Sequence, residues 1–323
     1  MKYLLTGCAG FVGARTAELL LDQGHEVAGL DDLNDYYSPL LKRHRLDALQ
    51  TRPGFRFHAG DVGSRADVDR LFAAERSFDA VINLAARAGV RASMEDPRLY
   101  QRTNADGSLN LLEAMRQAGC AKLVLASTSS LYAGRASPFR ESDPVDTPIS
   151  PYAATKRAAE VMAYSYHHLY KIDVSIVRYF TVYGPAGRPD MSPLRFIHWI
   201  KQGRPIRLFG DGTQSRDFTY IDDIARGTIL ALQPVGYEIF NLGGGRRPVT
   251  MLEFIRLIEQ ALGKTAVIDR QPFHKADMLE TAAVIDKARD RLGWSPEIDL
   301  AEGVQRTVRW YLENESWLAA ELA

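Results

Sequence analysis

Hydrophobic positions in the first 180 residues alternate between two periods. Short, largely apolar runs (KYLLT, HEVAGL, FRFHA, DAVINLA, AKLVLAS and DVSIVRYF) predict strands. Helical spacing recurs between them, over roughly 12–23, 64–76, 97–118 and 151–170. Strands that lack a polar face are buried on both sides, which calls for a parallel sheet covered by helices. The predicted fold is therefore α/β, a Rossmann-type doubly wound parallel sheet. Beyond Thr181 the pattern changes. Gly184-Pro185, Gly187, Pro189 and Pro193 mark a loop. A helix near 194–202, strands IRLFG and YEIFNLG, and helices near 250–262, 286–292 and 300–319 follow. The expected division is a larger Rossmann-type unit over 1–180 plus roughly 217–243, with a smaller, discontinuous C-terminal domain over 181–216 and 244–323.

Composition narrows the function. Lys+Arg and Asp+Glu both number 40 in 323 residues, so no global field draws the chain to nucleic acid or to an anionic membrane. Any anion must be bound locally. Cys8 and Cys120 can make no disulfide framework and are not spaced as metal ligands, so no metal is expected. No segment is long and apolar enough to span a bilayer, and the opening MKYLLTG reads as a strand, so a cytoplasmic protein is expected.

The first strand runs into Gly7-Cys8-Ala9-Gly10-Phe11-Val12-Gly13, which opens a helix. Three glycines at that spacing allow a tight turn, close backbone approach to a pyrophosphate, and close helix–strand packing. The second strand ends at Asp31, near the ~20-residue offset of a ribose-binding carboxylate. Asp31 would repel a 2′-phosphate, so NAD is expected over NADP. Asp61, followed by Val62 in HAGDV, fits either the adenine edge or a helix cap.

Tyr152 and Lys156 are four residues apart, on one face of a helix. A phenol with a pKa of about 10 is a poor base at neutral pH, but a neighbouring ammonium favours its phenolate. The strand AKLVLAS ends in Ser127-Thr128-Ser129-Ser130, which can place a hydroxyl against the same substrate atom. Tyr152 would exchange a proton and Thr128 would orient the substrate, with Lys156 supporting the phenolate and NAD taking a hydride.

Taken together, GxxGxxG, Asp31, NLAA (83–86), Asn104, the hydroxyl run and YxxxK resemble the extended short-chain dehydrogenases/reductases that act on nucleotide sugars. The resemblance covers nearly the whole chain. It implies cofactor contacts at Val62, Leu84, Ala85, Ala86, Asn104 and Tyr179, besides Gly7, Gly10, Phe11, Val12, Gly13, Asp31, Asp61, Tyr152 and Lys156. It also places Phe209 near a base, Arg216 on phosphates and Asp277 near a ribose. That last segment often carries Arg where His274 stands. The family usually dimerises through the helices near 97–118 and 151–170, so a homodimer is expected.

Thr128-Ser129-Ser130 lacks the Asp-Glu pair of the family's 4,6-dehydratases and the Glu of its UDP-glucuronate decarboxylases. The stretch Arg178 to Met191, with Thr181 and Arg188, resembles UDP-glucuronic acid 4-epimerases, as does LNDYYSPLLKRHRL (33–46). Cys8, Arg87 and Ala282 depart from the usual Ala, Gln and aromatic residue. The resemblance implies oxidation of a UDP-sugar at C4 and reduction on the opposite face. Ser129, Ser130, Thr181 and Arg188 are the candidate partners of a C6 carboxylate, and Arg188 supplies a cationic fork suited to one. A UDP-glucose/galactose-type epimerase, a UDP-glucuronate decarboxylase and a non-catalytic NAD-binding protein are the alternatives.

Overall fold

The computed structural model describes residues 1–273, 278–319 and 322. Its first half alternates strand and helix: β1 (Lys2–Thr6), α1 (Phe11–Asp22), β2 (Glu26–Asp31), α2 (Pro39–Gln50), β3 (Phe55–Ala59), α3 (Arg65–Glu75) and β4 (Ala80–Asn83). Two single-turn helices, α4 (Ala92–Glu95) and α5 (Pro97–Tyr100), lead through a π-helical turn (Gln101–Asp106) into α6 (Gly107–Ala118). Then come β5 (Lys122–Thr128), α7 (Pro151–Tyr170) and β6 (Asp173–Tyr179). The second half holds β7 (Thr181–Tyr183), α8 (Ser192–Gln202), β8 (Ile206–Phe209), β9 (Ser215–Arg216), β10 (Phe218–Tyr220), α9 (Ile221–Leu230) and β11 (Tyr237–Leu242). It ends with β12 (Val249–Thr250), α10 (Met251–Leu262), β13 (Ile268–Gln271), α11 (Asp286–Leu292) and α12 (Leu300–Leu318).

Seven strands form one parallel sheet in the order β3-β2-β1-β4-β5-β6-β11. The strand order reverses direction between β1 and β4, which opens a crevice at the C-terminal edge of the sheet. Adjacent residues face opposite layers: Leu4 belongs to the core that holds Val68, Leu111 and Ile176, whereas Leu5 belongs to the one that holds Ala17, Leu20 and Val177. A third core joins α8, α10 and α12 to the short strands, with Phe218 and Phe254 stacked at 4.3 Å.

Three features differ from the sequence expectation. The 33–46 stretch contains a helix, α2, started by Pro39 and by the Ser38 hydroxyl, which accepts from the Leu40 N–H, and anchored by buried Leu41, Leu46 and Leu49. The helix expected over 97–118 is broken into α5, the π-turn and α6. α9 was not expected at all; Ile221, Ile224 and Ala225 bury one side of it, and Asp222 pairs with Arg15 of α1 at 2.7 Å.

Candidate active site

Thr6, the last residue of β1, donates its hydroxyl to Asn83 Oδ1 at 2.7 Å and accepts the Ala85 N–H at 3.1 Å, tying β1 to the end of β4. Gly7 then turns with φ +71°, and its carbonyl accepts the Gly10 N–H at 2.9 Å. A Cβ on Gly13 would lie 1.9 Å from that carbonyl oxygen, so no side chain fits there. Gly10 caps α1 without a side chain, leaving the first-turn N–H groups available to an anion. Cys8 is fully buried in the space that Gly29 leaves, and burial raises its thiol pKa well above the usual value.

From this turn a cavity of about 810 Å³ runs across the sheet edge. Gly7, Gly10, Phe11, Val12, Gly13, Asp31, Asp61, Val62, Leu84, Ala85, Ala86 and Tyr179 all line it. Asp31 Oδ2 accepts from Ala9 N at 3.0 Å and Oδ1 from Leu33 N at 2.9 Å; burial raises its pKa against these bonds and the nearby Lys42 charge. Asp61 accepts from Gly63 N at 2.8 Å and pairs with Arg102 at 3.0 Å. The cap of α3 is Ser64, so the helix-cap reading of Asp61 fails. Asn104 does not line the cavity. Its amide holds both the N–H and the C=O of Arg87, at 2.8 and 3.0 Å, and donates to Thr155 Oγ1 at 3.1 Å. It fixes the wall from behind.

Thr128, Tyr152 and Lys156 line the same cavity. The Thr128 hydroxyl favours the Tyr152 phenolate and lies 3.1 Å from both the N–H and the hydroxyl of Ser130. Lys156 Nζ donates to the Ala126 carbonyl at 3.0 Å. Burial raises the Tyr152 pKa, opposed by the Thr128 hydrogen bond and the positive charge of Arg188. Burial also lowers Lys156 to about 8, despite the carboxylate of Glu160. Thr128 and Arg188, which the Tyr152–Lys156 spacing does not reveal, are groups that oppose burial at this phenol.

Beneath this cluster lies an ion pair that sequence reading missed. Glu160, fully buried, accepts from Arg178 Nε at 2.9 Å and Nη2 at 2.8 Å, from Ser127 Oγ at 2.6 Å and from Arg157 at 3.0 Å. Tyr152, Lys156 and Glu160 share one helical face, and that i, i+4, i+8 spacing was the available signal. The charge of Arg178 holds the Glu160 carboxyl below its usual range.

Ser129, Ser130, Thr181 and Arg188 line the next stretch of the cavity. Arg188 is held by Asp190, with Nε 3.0 Å from Oδ1 and Nη2 on Oδ2, and stands 5.8 Å from the Tyr36 ring. At the far end are Phe209 and Arg216. The Arg91 guanidinium stacks 4.2 Å from the Phe209 ring, and Arg195 feels the charges of Arg207 and Arg91, which help burial lower its pKa. This convergence of cations was not foreseen, because the three arginines lie on separate segments. Asp277 and His274 lie outside the described residues. Among the described residues no group of His, Cys, Asp or Glu could hold a metal ion, and no helix is long and apolar enough to cross a membrane.

Residues 3–243 match the model of the NAD dependent epimerase/dehydratase family. Over 312 residues the chain is 56% identical to the UDP-glucuronate 4-epimerase of Thermodesulfobacterium geofontis, covering 97% of this chain and 96% of that protein. It is 40% identical to a probable UDP-glucuronate 4-epimerase of Rhizobium meliloti, covering 97% and 98%. The crystal structure of UDP-glucuronic acid 4-epimerase from Bacillus cereus, in complex with UDP-glucuronic acid and NAD, superposes with a TM-score of 0.91 at 34% identity, over 97% of this chain and 100% of that one. With a glycine turn, a Tyr–Lys–Thr cluster and relatives of this closeness, the chain belongs to the NAD-dependent epimerase/dehydratase family.

Proposed function

We propose that the protein is an NAD-dependent UDP-glucuronate 4-epimerase, which interconverts UDP-glucuronic acid and UDP-galacturonic acid through a 4-keto intermediate and releases no CO₂. The observation that carries this reading is one cavity lined by Thr128, Tyr152 and Lys156 beside neutral Ser129 and Ser130, with the Arg188 guanidinium in its wall. The site has the parts to make a ketone at C4. It has no carboxylate at 128–130 to drive elimination.

The side-chain-free turn, the uncapped start of α1 and the buried Asp31 fit a dinucleotide. NAD, when bound, supplies the hydride acceptor and donor for C4. Tyr152, as phenolate once the charges of Lys156, Arg188 and the bound cofactor outweigh burial, takes the C4 hydroxyl proton, while Thr128 holds that oxygen in line. The ketone turns over while the UDP end stays anchored near Phe209 and Arg216, and Tyr152 returns its proton as the opposite face is reduced. The intermediate is a β-keto acid, which loses CO₂ when its C5–C6 bond aligns with the carbonyl π system. Ser129, Ser130, Thr181 and Arg188 hold the carboxylate solvated and out of that alignment.

We also propose the division into an NAD-binding unit (1–180 with roughly 217–243) and a UDP-sugar unit, a cytoplasmic location, and a homodimer. Val161, Met162, Tyr164, Leu169 and Tyr170 leave an exposed apolar set on α7, which supports the dimer. Sedimentation as a monomer at micromolar concentration would argue against it. Incubation with UDP-glucuronic acid, followed by proton NMR, tests the function. UDP-galacturonic acid should appear, and an unchanged spectrum would reject the assignment.

A further inference from the structure

The dinucleotide crevice lies over the C-terminal end of β1, between β2 and β4. Arg87, in the segment after β4, reaches across it: Nη2 lies 3.4 Å from Oδ2 of Asp32, the residue after β2. The side chain therefore runs from one flank of β1 to the other, at the end where the glycine turn sits, and lines the cavity with Asp31, Asp32 and Lys42. Its backbone is pinned at both polar atoms by Asn104. The Arg87 side chain is only 11% exposed, and its Nε is buried without a hydrogen-bond partner among the described residues. A buried guanidinium donor left unmade is costly, and a 3.4 Å contact is long for a charge-assisted bond. Lys42 adds a second cation near enough to be repelled by Arg87. Asp31 and Asp32 offset part of the charge of Arg87 and Lys42, but the unmade Nε donor faces the cavity that the glycine turn also lines, where a diphosphate can accept from it.

We propose that Arg87 is a cofactor-anchoring residue, whose guanidinium closes over the diphosphate of bound NAD and retains the dinucleotide between turnovers. The inference rests on the NAD reading of the crevice. Because an epimerase regenerates its cofactor in each cycle, retention serves turnover directly. Arg87→Gln keeps a polar side chain while removing the charge.

The test is the rate at which holoprotein releases NAD, followed by rapid gel filtration and mass spectrometry of the freed cofactor. Arg87→Gln should speed release by about ten- to a hundredfold, the range for a charge-assisted contact, and Arg87→Lys should recover part of the loss. Raising NaCl should accelerate release from the unsubstituted holoprotein more steeply than from Arg87→Gln. That salt titration needs no variant to fold. Release from Arg87→Gln within about twofold of the parent, or release indifferent to salt in the parent, overturns the role of Arg87. Failure of the parent to carry or bind any NAD overturns the cofactor reading instead, so the two failures are distinct.

Discussion

Replacing Arg188 with alanine probes the carboxylate end of the cavity. Two of the five guanidinium N–H donors, on Nε and Nη2, already point at Asp190, leaving Nη1 and the outer hydrogen of Nη2 for the substrate. A charge-assisted contact is worth about 1.5–3 kcal/mol, and Asp190 offsets part of the charge, so the direct loss falls near the lower figure. Arg188→Ala also leaves Asp190 unpaired beside an incoming carboxylate, which adds repulsion. The two effects together predict a fall of about ten- to a hundredfold in kcat/KM for UDP-glucuronate, at ~1.36 kcal/mol per tenfold. Affinity for UDP alone should hardly change. Adding Asp190→Ala to Arg188→Ala should recover part of the loss, because the repelling carboxylate is gone. Steady-state kinetics on UDP-glucuronate and UDP-glucose reads the effect. Equal turnover of UDP-glucuronate by Arg188→Ala and the parent would refute the reasoning and move the carboxylate site elsewhere.

Three further outcomes follow from other parts of the chain. Tyr152→Phe should reduce kcat by about 10²–10⁴-fold, as expected for loss of a positioned proton acceptor, while UDP binding by calorimetry stays constant. Glu160→Gln leaves Arg178 buried without its charge partner and should lower stability by about 3–5 kcal/mol in urea unfolding; an unchanged midpoint would contradict the account of that pair. Glu75 is held down to about 2 by hydrogen bonds from Lys2, His58 and Arg56, against a burial effect that raises it. A depressed carboxyl stabilises the fold above its unfolded pKa and ceases to do so as pH falls through the folded value. Glu75→Gln should therefore cost about 2 kcal/mol at neutral pH, with the gap to the parent closing between about pH 4.5 and pH 2.

The alternating strands and the glycine turn were legible because both are local. Leu4 and Leu5 declare a two-sided strand by themselves, and a Cβ at Gly13 clashes with a carbonyl only six residues away. Tyr152 and Lys156 share a helical face, so their proximity needs no tertiary information. The partners that tune them are another matter. The charge of Arg188 acts on Tyr152 from the loop after β7, and Arg178 meets Glu160 from a neighbouring strand. Neither pairing leaves a mark at fixed spacing. Asn104 was a cofactor contact by resemblance, and here it is the clamp behind Arg87. The motif marks the residue and leaves open which way its amide points. α2 was overlooked because its buried positions, Leu41, Leu46 and Leu49, are interrupted by Lys42 and Arg45, which are themselves buried through hydrogen bonds to backbone carbonyls.

Oxidation and re-reduction of C4 inside this cavity, with the carboxylate retained, leave a signature in the product. Incubating the protein with UDP-glucuronic acid in D₂O and following the reaction by NMR and mass spectrometry tests for it directly. UDP-galacturonic acid should appear with its original hydrogen at C4, because the hydride returns from the cofactor and never exchanges with solvent, and with no CO₂ evolved. Deuterium at C4, or a pentose product accompanied by CO₂, would contradict this course.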